Sequence, residues 1–312
     1  MTRILVTGGA GYLGSVLVPS LLDRGFDVTV VDSFVYGQDS LAAVCYDPRF
    51  SLVRGDVRSR ETMTPLLKRA DIVIPLAALV GAPLCDRDPL AATSTNLQAI
   101  VDMIDSLSPA QRVIMPVSNS GYGVGTRDAL CTEESPLRPV SLYGRDKVAA
   151  ERALLDRHPA TVTLRLATVF GMSPRMRLDL LVNDFTYRAC TDRFIVLFES
   201  HFKRNFIHVR DVARAFLHAI DHFEAMQGGP YNVGLSDANL SKRELCERIQ
   251  AQVPSFVFSE SNIGKDPDQR DYIVSNEKIE RTGFAPAFSL DDGIREIVKG
   301  AAMLQNRRYS NA

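Results

Sequence analysis

Short apolar runs alternate with longer amphipathic segments through the first half of the chain. The apolar runs predict six β-strands: Ile4–Thr7, Val28–Val31, Ser51–Val53, Ile72–Ile74, Val113–Val117 and Thr161–Leu166. The segments between them predict four helices: Tyr12–Asp23, Arg60–Arg69, Pro89–Leu107 and Ser141–Asp156. Apolar strands without polar alternation are buried on both faces, as in a parallel sheet covered by helices. The predicted fold class is therefore α/β, with a doubly wound parallel sheet.

The pattern changes after Gly171, and the remainder predicts a smaller C-terminal lobe. Its predicted elements are the helix Asp184–Ala189, the strand Phe194–Phe198, the helix Val212–Phe223, the helix Leu240–Gln252 capped by Ser241, the loop Ile263–Asp271 and the closing helix Asp291–Leu304. We expect the sheet domain to comprise residues 1–171 and about 204–234. The second lobe would then comprise residues 172–203 and about 235–312.

The composition limits which binding partners and which cellular compartment we expect for this protein. The 312 residues carry 36 basic and 37 acidic side chains, a formal net charge of −1, so nothing generally attracts nucleic acid or an anionic membrane. The N-terminus lacks the features of a signal peptide, and no apolar run approaches the roughly 18–20 residues of a membrane span. Five scattered cysteines without a CxxC pair argue against disulfides and against a zinc site. We therefore expect a cytoplasmic protein that binds no metal, nucleic acid or membrane.

A glycine-rich turn follows the first predicted strand. Gly8, Gly11 and Gly14 have the GxxGxxG spacing of a Rossmann dinucleotide site, directly before a helix. The first glycine allows the tight turn, the second lets the backbone approach a pyrophosphate, and the third lets the helix lie close to the sheet. Tyr12 and Leu13 would present backbone N–H groups to the anion at the helix start. The spacing alone also fits a plain strand–helix turn.

An acidic residue ends the second predicted strand. Asp32 lies 18 residues after Gly14, where a carboxylate can accept both ribose hydroxyls of an adenosine. Ser33 and Phe34 follow it, without a cation to neutralise a 2′-phosphate, so we predict NAD rather than NADP. A solvated carboxylate at a strand end is the alternative. Asp56-Val57, after the third strand, would contact the edge of the adenine ring.

Three polar residues in the next segments suggest acid–base chemistry. Tyr143 and Lys147 are four apart on a predicted helix and share one face. A lysine ammonium favours the phenolate of a nearby tyrosine and so lowers its pKa. Ser118 follows the strand Val113–Val117 and would project into the crevice at the carboxyl end of the sheet. Each of these features alone also occurs by chance, the first as a YxxxK match and the second as a serine-rich turn.

Ten motifs follow one another along the chain. They are GGAGYLG at Gly8–Gly14, Asp32, Asp56-Val57, LAALVGAP at Leu76–Pro83, Asn96, SNSGYG at Ser118–Gly123, YGRDK at Tyr143–Lys147, RLATVFG at Arg165–Gly171, RNFIHVRDV at Arg204–Val212 and YNVG at Tyr231–Gly234. In this order they resemble the extended short-chain dehydrogenase/reductases, which include nucleotide-sugar epimerases, dehydratases and dehydrogenases. The 25 positions from Ser118 to Tyr143 also match that family. The resemblance extends over nearly the whole chain.

The resemblance implies roles for individual residues. Tyr143 would be the base and acid, Ser118 its hydrogen-bonding partner, and Lys147 the ligand of the nicotinamide ribose. The implied cofactor contacts further along the chain are Leu76, Ala77, Ala78 and Asn96, and the implied substrate contacts are Ser118, Asn119, Ser120, Asn183, Arg204 and Arg270. The two arginines would bind a diphosphate, with Arg175 and Arg177 as weaker candidates. A homodimer through the helices Pro89–Leu107 and Ser141–Asp156 is also implied.

The motifs depart from the family pattern at two places. Pro75 stands where a histidine usually precedes the LAA run, so cofactor contacts there must be backbone or apolar. Asn119-Ser120 stands where the sugar dehydratases have Asp-Glu, and neither side chain is a useful acid or base near neutral pH. Dehydration is therefore not expected.

A finer resemblance concerns the sugar. The stretches IPLAALVGAPLC, NSGYG and SPRMRLDLLVNDFTYRA are most similar to enzymes of nucleotide-activated heptoses, among them a GDP-heptose 4-dehydrogenase. We therefore expect oxidation of the C4 hydroxyl of an NDP-sugar, such as an NDP-heptose, by an NAD-dependent epimerase or dehydrogenase. The sequence leaves these two open. The alternatives are an NADH-dependent keto-sugar reductase and a non-catalytic NAD-binding relative.

Overall fold

The structure, a computed structural model, describes residues 1–125, 129–261 and 270–304. Its strands are β1 (Arg3–Thr7), β2 (Asp27–Asp32), β3 (Phe50–Arg54), β4 (Ile72–Pro75), β5 (Arg112–Ser118), β6 (Leu130–Cys131), β7 (Thr161–Leu166), β8 (Thr168–Phe170), β9 (Phe194–Phe198), β10 (Lys203–His208), β11 (Gly229–Val233), β12 (Asn239–Ser241), β13 (Val257–Ser261) and β14 (Ile273–Val274). Its α-helices are α1 (Gly14–Asp23), α2 (Arg60–Leu67), α3 (Ala82–Arg87), α4 (Pro89–Thr93), α5 (Ala99–Ile104), α6 (Leu142–Arg157), α7 (Leu181–Thr191), α8 (Val209–Asp221), α9 (Phe223–Met226), α10 (Lys242–Gln252), α11 (Glu277–Glu280) and α12 (Leu290–Ala301).

Seven parallel strands form the central sheet, in the order β11-β7-β5-β4-β1-β2-β3. Strands β2 and β3 follow β1 on one side of it. The chain then crosses over, so that β4 pairs with the other side of β1. This reversal leaves a crevice at the carboxyl ends of β1 and β4, where open α/β sheets bind their ligands. The predicted doubly wound α/β fold is confirmed, and every strand predicted in the first half exists within two residues of its expected bounds.

Neighbouring residues of the strands face two separate hydrophobic clusters, which explains their unbroken apolar runs. In β1, Ile4 and Val6 belong to one cluster, and Leu5 belongs to the other. The first cluster continues into α1, α8 and the second lobe. The second cluster continues into α2, α5 and α6. Because both faces are covered, most strand positions take apolar side chains. Strand β7 is an exception, since its buried Thr163 and Arg165 are hydrogen-bonded to Glu151 of α6.

The predicted helix Pro89–Leu107 is not one regular helix. A π-helical turn, Ser94–Gln98, separates α4 from α5 and contains Asn96. The buried Asn96 amide accepts a hydrogen bond from the Leu79 backbone N–H at 2.8 Å and donates to the Leu79 carbonyl at 2.9 Å. Wide turns of this kind often occur at functional sites. Because the amide is bound to a loop distant in sequence, helical periodicity could not reveal the turn.

The second lobe is built from small sheets and from the helices α7, α10 and α12, which pack together. The sheets are β12-β10-β8, β13-β9 and β14-β6. Strands β8 and β10 therefore pair with each other outside the central sheet, whereas α8 packs on α1 and β11 joins the central sheet. The two lobes interleave, and the expected division at residues 171 and 204 stays a prediction. No helix of the described ranges is long and apolar enough to cross a membrane.

Candidate active site

A cleft of about 1320 Å³ lies at the carboxyl end of the central sheet, between the sheet and the second lobe. A single small-molecule pocket usually has 300–1,000 Å³, so this cleft has room for two ligands. The central domain contributes Gly8, Gly11, Tyr12, Leu13, Asp32, Asp56, Val57, Leu76, Ala77, Ala78, Ser118, Tyr143 and Lys147 to its wall, and the segments of the second lobe contribute Arg175, Arg177, Arg204 and Arg270.

The glycine-rich turn brings three pieces of backbone into close contact. Gly8 has a φ of +66°, and a Cβ there would lie 2.7 Å from the backbone nitrogen of Ala77. A Cβ on Gly14 would lie 2.4 Å from the carbonyl oxygen of Gly9. Leu13 gives α1 no side-chain cap, and the N–H groups of Ser15 and Val16 donate to the carbonyls of Gly11 and Leu13. An anion would therefore be served by the N–H groups that precede them, at Tyr12 and Leu13. This cradle fits the pyrophosphate of a dinucleotide.

The carboxylate of Asp32 is held at the end of β2. It accepts hydrogen bonds from the backbone N–H groups of Ala10 at 3.0 Å and Phe34 at 2.8 Å. Phe34 adopts a positive φ of 53° in the turn that follows the strand. The two backbone hydrogen bonds fix the position of the Asp32 carboxylate on the cleft wall, where it is suited to accept ribose hydroxyls and to disfavour a 2′-phosphate.

Asp56 lies on the same wall, at the end of β3. Its carboxylate makes a bidentate ion pair with Arg58, with distances of 2.6 and 3.0 Å. This pairing lowers the pKa of Asp56. Since the carboxylate is already occupied, the expected adenine contact would come from the backbone of Asp56 or from the neighbouring Val57, which packs on the second core cluster.

Ser118, Tyr143 and Lys147 line the same part of the cleft. Ser118 ends β5 and caps the following 3₁₀ turn, its hydroxyl accepting from the Ser120 N–H at 3.1 Å. Tyr143 and Lys147 lie in the first two turns of α6, which begins at the cap residue Ser141. The fold thus brings the strand end and the helix, which are distant in sequence, to one site.

Burial has the largest effect on the pKa of Tyr143 and on the pKa of Lys147. Burial raises the pKa of Tyr143 to about 12, and the charges of Arg177 and Arg270 oppose this rise. Burial lowers the pKa of Lys147 to about 8, and Glu151, one turn further along α6, opposes this fall. We expected Lys147 to lower the pKa of Tyr143, but in the protein alone burial has the largest effect on this pKa and raises it. The charges that oppose the rise are those of the two arginines.

Two of the expected substrate contacts do not lie on the cleft wall. Asn119 and Ser120 belong to the 3₁₀ turn after Ser118 and are buried, at 0% and 1% exposure. The amide of Asn119 and the hydroxyl of Ser120 have no hydrogen-bond partner within the described residues. The turn directs both side chains inwards, so the expectation of direct substrate contact is not met by the geometry.

Two further expected contacts also act behind the wall. Asn96 holds the loop that contains Leu79, as described above. Asn183, fully buried in α7, accepts from the Gly171 N–H at 3.0 Å and donates to the Tyr12 hydroxyl at 3.2 Å and to the Arg177 carbonyl at 2.9 Å. Both amides are consumed by backbone and side-chain partners, so they position the residues that form the cleft.

The expected diphosphate-binding arginines come from separate segments. Arg204, in β10, is buried, and its guanidinium lies 5.7 Å from the ring centre of Tyr272. Arg270 also lines the cleft, whereas residues 263–269 of the predicted loop fall outside the described ranges. Arg177 is bound by Asp179 at 2.6 Å. Three cations from separate segments, Arg177, Arg204 and Arg270, therefore line one cleft.

Sequence reasoning missed several residues of the wall, among them Tyr36, Thr168, Asp184, Lys242 and Tyr272. Asp184 was expected only as the start of a helix, yet burial raises its pKa to about 6. Lys242 donates to the Phe198 carbonyl at 2.7 Å. Thr168 lies within the RLATVFG motif and Tyr36 in the loop after β2, whereas Asp184, Lys242 and Tyr272 reach the cleft through the packing of the second lobe.

Comparison with known proteins adds to this geometry. A sequence model described as the NAD dependent epimerase/dehydratase family matches residues 4–234. The chain is 30% identical to the low-salt glycan biosynthesis protein Agl12 of Haloferax volcanii, over 95% of this chain and 97% of that protein. It is 28% identical to UDP-glucuronic acid decarboxylase 1 of Arabidopsis thaliana, over 95% of this chain and 69% of that protein.

A solved structure with NAD bound is also similar. The structure of DesIV, a dTDP-glucose 4,6-dehydratase from Streptomyces venezuelae, superposes with a TM-score of 0.83 at 25% identity and covers 99% of both chains. These names include a dehydratase and a decarboxylase, so the reaction differs among similar proteins. NAD is what the family description and this structure have in common.

Proposed function

Because the chain belongs to the NAD-dependent epimerase/dehydratase family, we propose that it oxidises the C4 hydroxyl of an NDP-sugar, as an epimerase or a dehydrogenase. NAD is its cofactor. One observation carries the proposal. Ser118, Tyr143 and Lys147 line one cleft together with the glycine-rich turn and with arginines from other segments. A dinucleotide and a nucleotide-linked sugar would each find complementary charges there.

Tyr143 is the proposed base. It would take the proton of the sugar hydroxyl while Ser118 donates or accepts a hydrogen bond at the same oxygen. When bound, NAD⁺ would supply the hydride acceptor. Burial raises the pKa of Tyr143 to about 12 against the opposing charges of Arg177 and Arg270, so the base depends on nearby positive charge. Lys147, Arg177 and Arg270 are the residues of the chain that provide it.

The residues after Ser118 favour a reaction without dehydration. A 4,6-dehydration needs an acid and a base beside the catalytic serine, and Asn119 and Ser120 are neither. Epimerisation or simple oxidation at C4 requires no further proton transfer. The motif resemblance to heptose-modifying enzymes makes an NDP-heptose the substrate to test first. NDP-hexoses serve as controls.

The reaction in D₂O separates the possible outcomes. A 4-epimerase would invert C4 without solvent deuterium on carbon, because the hydride returns from the cofactor. A dehydrogenase would produce a 4-ketone and bound NADH, detected near 340 nm as about one equivalent per site if the cofactor does not exchange. Deuterium at C5 with loss of the C6 oxygen would reveal a dehydratase and contradict the proposal. Tyr143→Phe serves as the inactive control.

Two further expectations accompany this proposal. A keto-sugar reductase would release its cofactor in each cycle, so the purified protein would carry no NAD(H), whereas an epimerase would retain it. We also propose a homodimer through the α4–α5 and α6 helices. The mass of the protein in solution tests this, because a monomer at micromolar concentration would contradict it.

A further inference from the structure

A segment of the second lobe lies directly against the glycine-rich turn. We name residues 171–180, between β8 and α7, the strap. The Ser173 hydroxyl donates to the Tyr12 carbonyl at 2.7 Å and lies 2.8 Å from the Ser15 hydroxyl. The backbone N–H of Arg175 donates to the same Ser15 hydroxyl at 3.3 Å. The strap is therefore attached to the first turn of α1.

A second set of hydrogen bonds fixes the two ends of the strap. The Tyr12 hydroxyl donates to the Gly171 carbonyl at 2.7 Å and accepts from the Asn183 amide at 3.2 Å. The same amide donates to the Arg177 carbonyl at 2.9 Å. These groups are buried, where a hydrogen bond is costly to leave unmade. The position of the strap over the turn is consequently well determined.

This attachment places Arg175 beside the cofactor half of the cleft. Its side chain is 7% exposed, lines the cleft, and has its guanidinium 4.8 Å from the ring centre of Tyr36. Tyr36 belongs to the loop that follows Asp32. Arg175 thus lies between the start of α1, where a pyrophosphate binds, and the loop on the adenosine side. Arg204 and Arg270 come from other segments.

The charges around Arg175 are compatible with an anion. Arg177, two residues further along the strap, is paired with Asp179, which offsets part of its charge. Burial lowers the pKa of Arg175, Arg177 adds to this fall, and the nearby Tyr36 and Asp179 oppose it. A guanidinium remains charged at neutral pH. The Arg175 guanidinium donates to the Met176 carbonyl, and the pyrophosphate of NAD would add a dianion beside this buried charge.

We propose that Arg175 binds the pyrophosphate of NAD and that the strap holds it there, so that the substrate lobe closes the cofactor site. The cofactor would leave only when the strap separates from α1. Exchange of NAD should therefore be slow in the intact protein. This inference rests on the proposed function, because an epimerase retains its cofactor whereas a keto-sugar reductase would release it in each cycle.

Binding of cofactor fragments by Arg175→Gln tests the proposal. A charge-assisted hydrogen bond lost from a buried site should weaken NAD and ADP-ribose by about ten- to hundredfold. Adenosine, which lacks the pyrophosphate, should bind as to the wild type. Arg175→Lys keeps the charge and should recover part of the loss. Arg69→Gln, an exposed position after α2 that does not line the cleft, is the matched control and should change none of the affinities.

Three outcomes would overturn the assignment. Unchanged NAD and ADP-ribose affinity would mean that Arg175 does not contact the cofactor. A loss of affinity for UDP alone would mean that Arg175 binds the diphosphate of the substrate. An equal loss of affinity for adenosine would mean that Arg175 contacts the adenosine ribose. A thermal unfolding curve for each variant establishes that the fold is intact before affinities are compared.

The strap itself is tested by the rate of cofactor release. Ser173→Ala removes the hydroxyl that joins the strap to Tyr12 and Ser15. Bound NADH should then exchange into excess NAD several-fold faster, measured by the decay of NADH fluorescence. Tyr36→Leu should also weaken NAD binding, whereas Tyr36→Phe retains the ring and should not. An unchanged release rate in Ser173→Ala would contradict the role of the strap.

Discussion

The two halves of the cleft are built in different ways. On the cofactor side, Gly8, Gly11, Gly14 and Asp32 fall within one β-α-β unit, and the backbone forms most of the surface. On the substrate side, Arg204 and Arg270 belong to segments far apart in sequence, and side chains form the surface. A backbone site tolerates little change in shape, whereas a side-chain site loses its contacts one by one. The comparison predicts different responses to mutation.

The triad at the junction of the two halves should give the largest effect. Tyr143→Phe removes the proposed base and keeps the ring, so turnover should fall by about 10²–10⁴-fold. NAD binding should remain, because the cofactor half is untouched. Ser118→Ala should cost less, since it removes a hydrogen bond and leaves the base. Near-normal activity of Tyr143→Phe in steady-state assays would mean that another group is the base.

Substitution in the glycine-rich turn tests the backbone half. Gly8→Ala combines a left-handed conformation, which costs about 1–2 kcal/mol, with a clash against Ala77 that adds about 1–3 kcal/mol. Gly283→Ala has only the first cost, because its φ is +92° and nothing lies within 4 Å of the added Cβ. Chemical denaturation should rank Gly8→Ala as clearly less stable, and NAD affinity should fall only in that variant. Equal losses would contradict the close approach.

The arginines test the side-chain half. Arg204→Ala and Arg270→Ala should each weaken the binding of the nucleotide-sugar, or of UDP or dTDP as probes, by about ten- to hundredfold. Both variants should bind NAD as the wild type does, because the two arginines belong to segments outside the β-α-β unit that is proposed to bind the cofactor. Calorimetric titration measures both ligands. A loss of NAD affinity would show that the arginines serve the cofactor instead.

Cofactor choice should give a smaller difference. The fixed carboxylate of Asp32 should repel a 2′-phosphate, so NAD(H) should bind at least about tenfold more tightly than NADP(H), which corresponds to about 1.4 kcal/mol. In Asp32→Asn the preference should decrease, since the amide carries no charge. Titration of both cofactors measures this preference. Equal affinities for NAD(H) and NADP(H) in the wild type would contradict the proposal that Asp32 disfavours a 2′-phosphate.

The smallest expected effect concerns pH and the stability of the cofactor-free protein. The pKa of Lys147 is lowered from its ordinary value of 10.5 to about 8 in the folded state. Between these values the unfolded chain binds more protons, so Lys147 makes stability rise with pH, by about 1.4 kcal/mol per unit. Below pH 8, Lys147 is protonated in both the folded and the unfolded state, so it adds no pH dependence to the stability. Denaturation between pH 7.5 and 9 should show a steeper rise in the wild type than in Lys147→Met, and identical slopes would contradict the buried ammonium.

Some features could be read from neighbouring residues. The strands of the central sheet follow from their apolar runs, and the glycine spacing indicates the turn whose short backbone distances the structure gives. The placement of Asn119, Ser120 and Asn183 could not be read in this way. Their side chains turn inwards because of a 3₁₀ turn and of partners that lie on other segments. A sequence match assigns a position in a motif and leaves the direction of a side chain undetermined.

The sequence by itself determined the doubly wound sheet, the glycine-rich turn and the spacing of Ser118, Tyr143 and Lys147. The sheet and the turn depend on local conformational preferences, and Tyr143 and Lys147 lie one helical turn apart. The 25 positions between Ser118 and Tyr143 are a match to the family pattern. Only the tertiary structure decided that a π turn interrupts the helix around Asn96 and that Arg175 lies against the cofactor half. It also decided that burial governs the pKa of Tyr143. These properties arise from contacts between segments far apart in the chain, whose energies no local pattern contains.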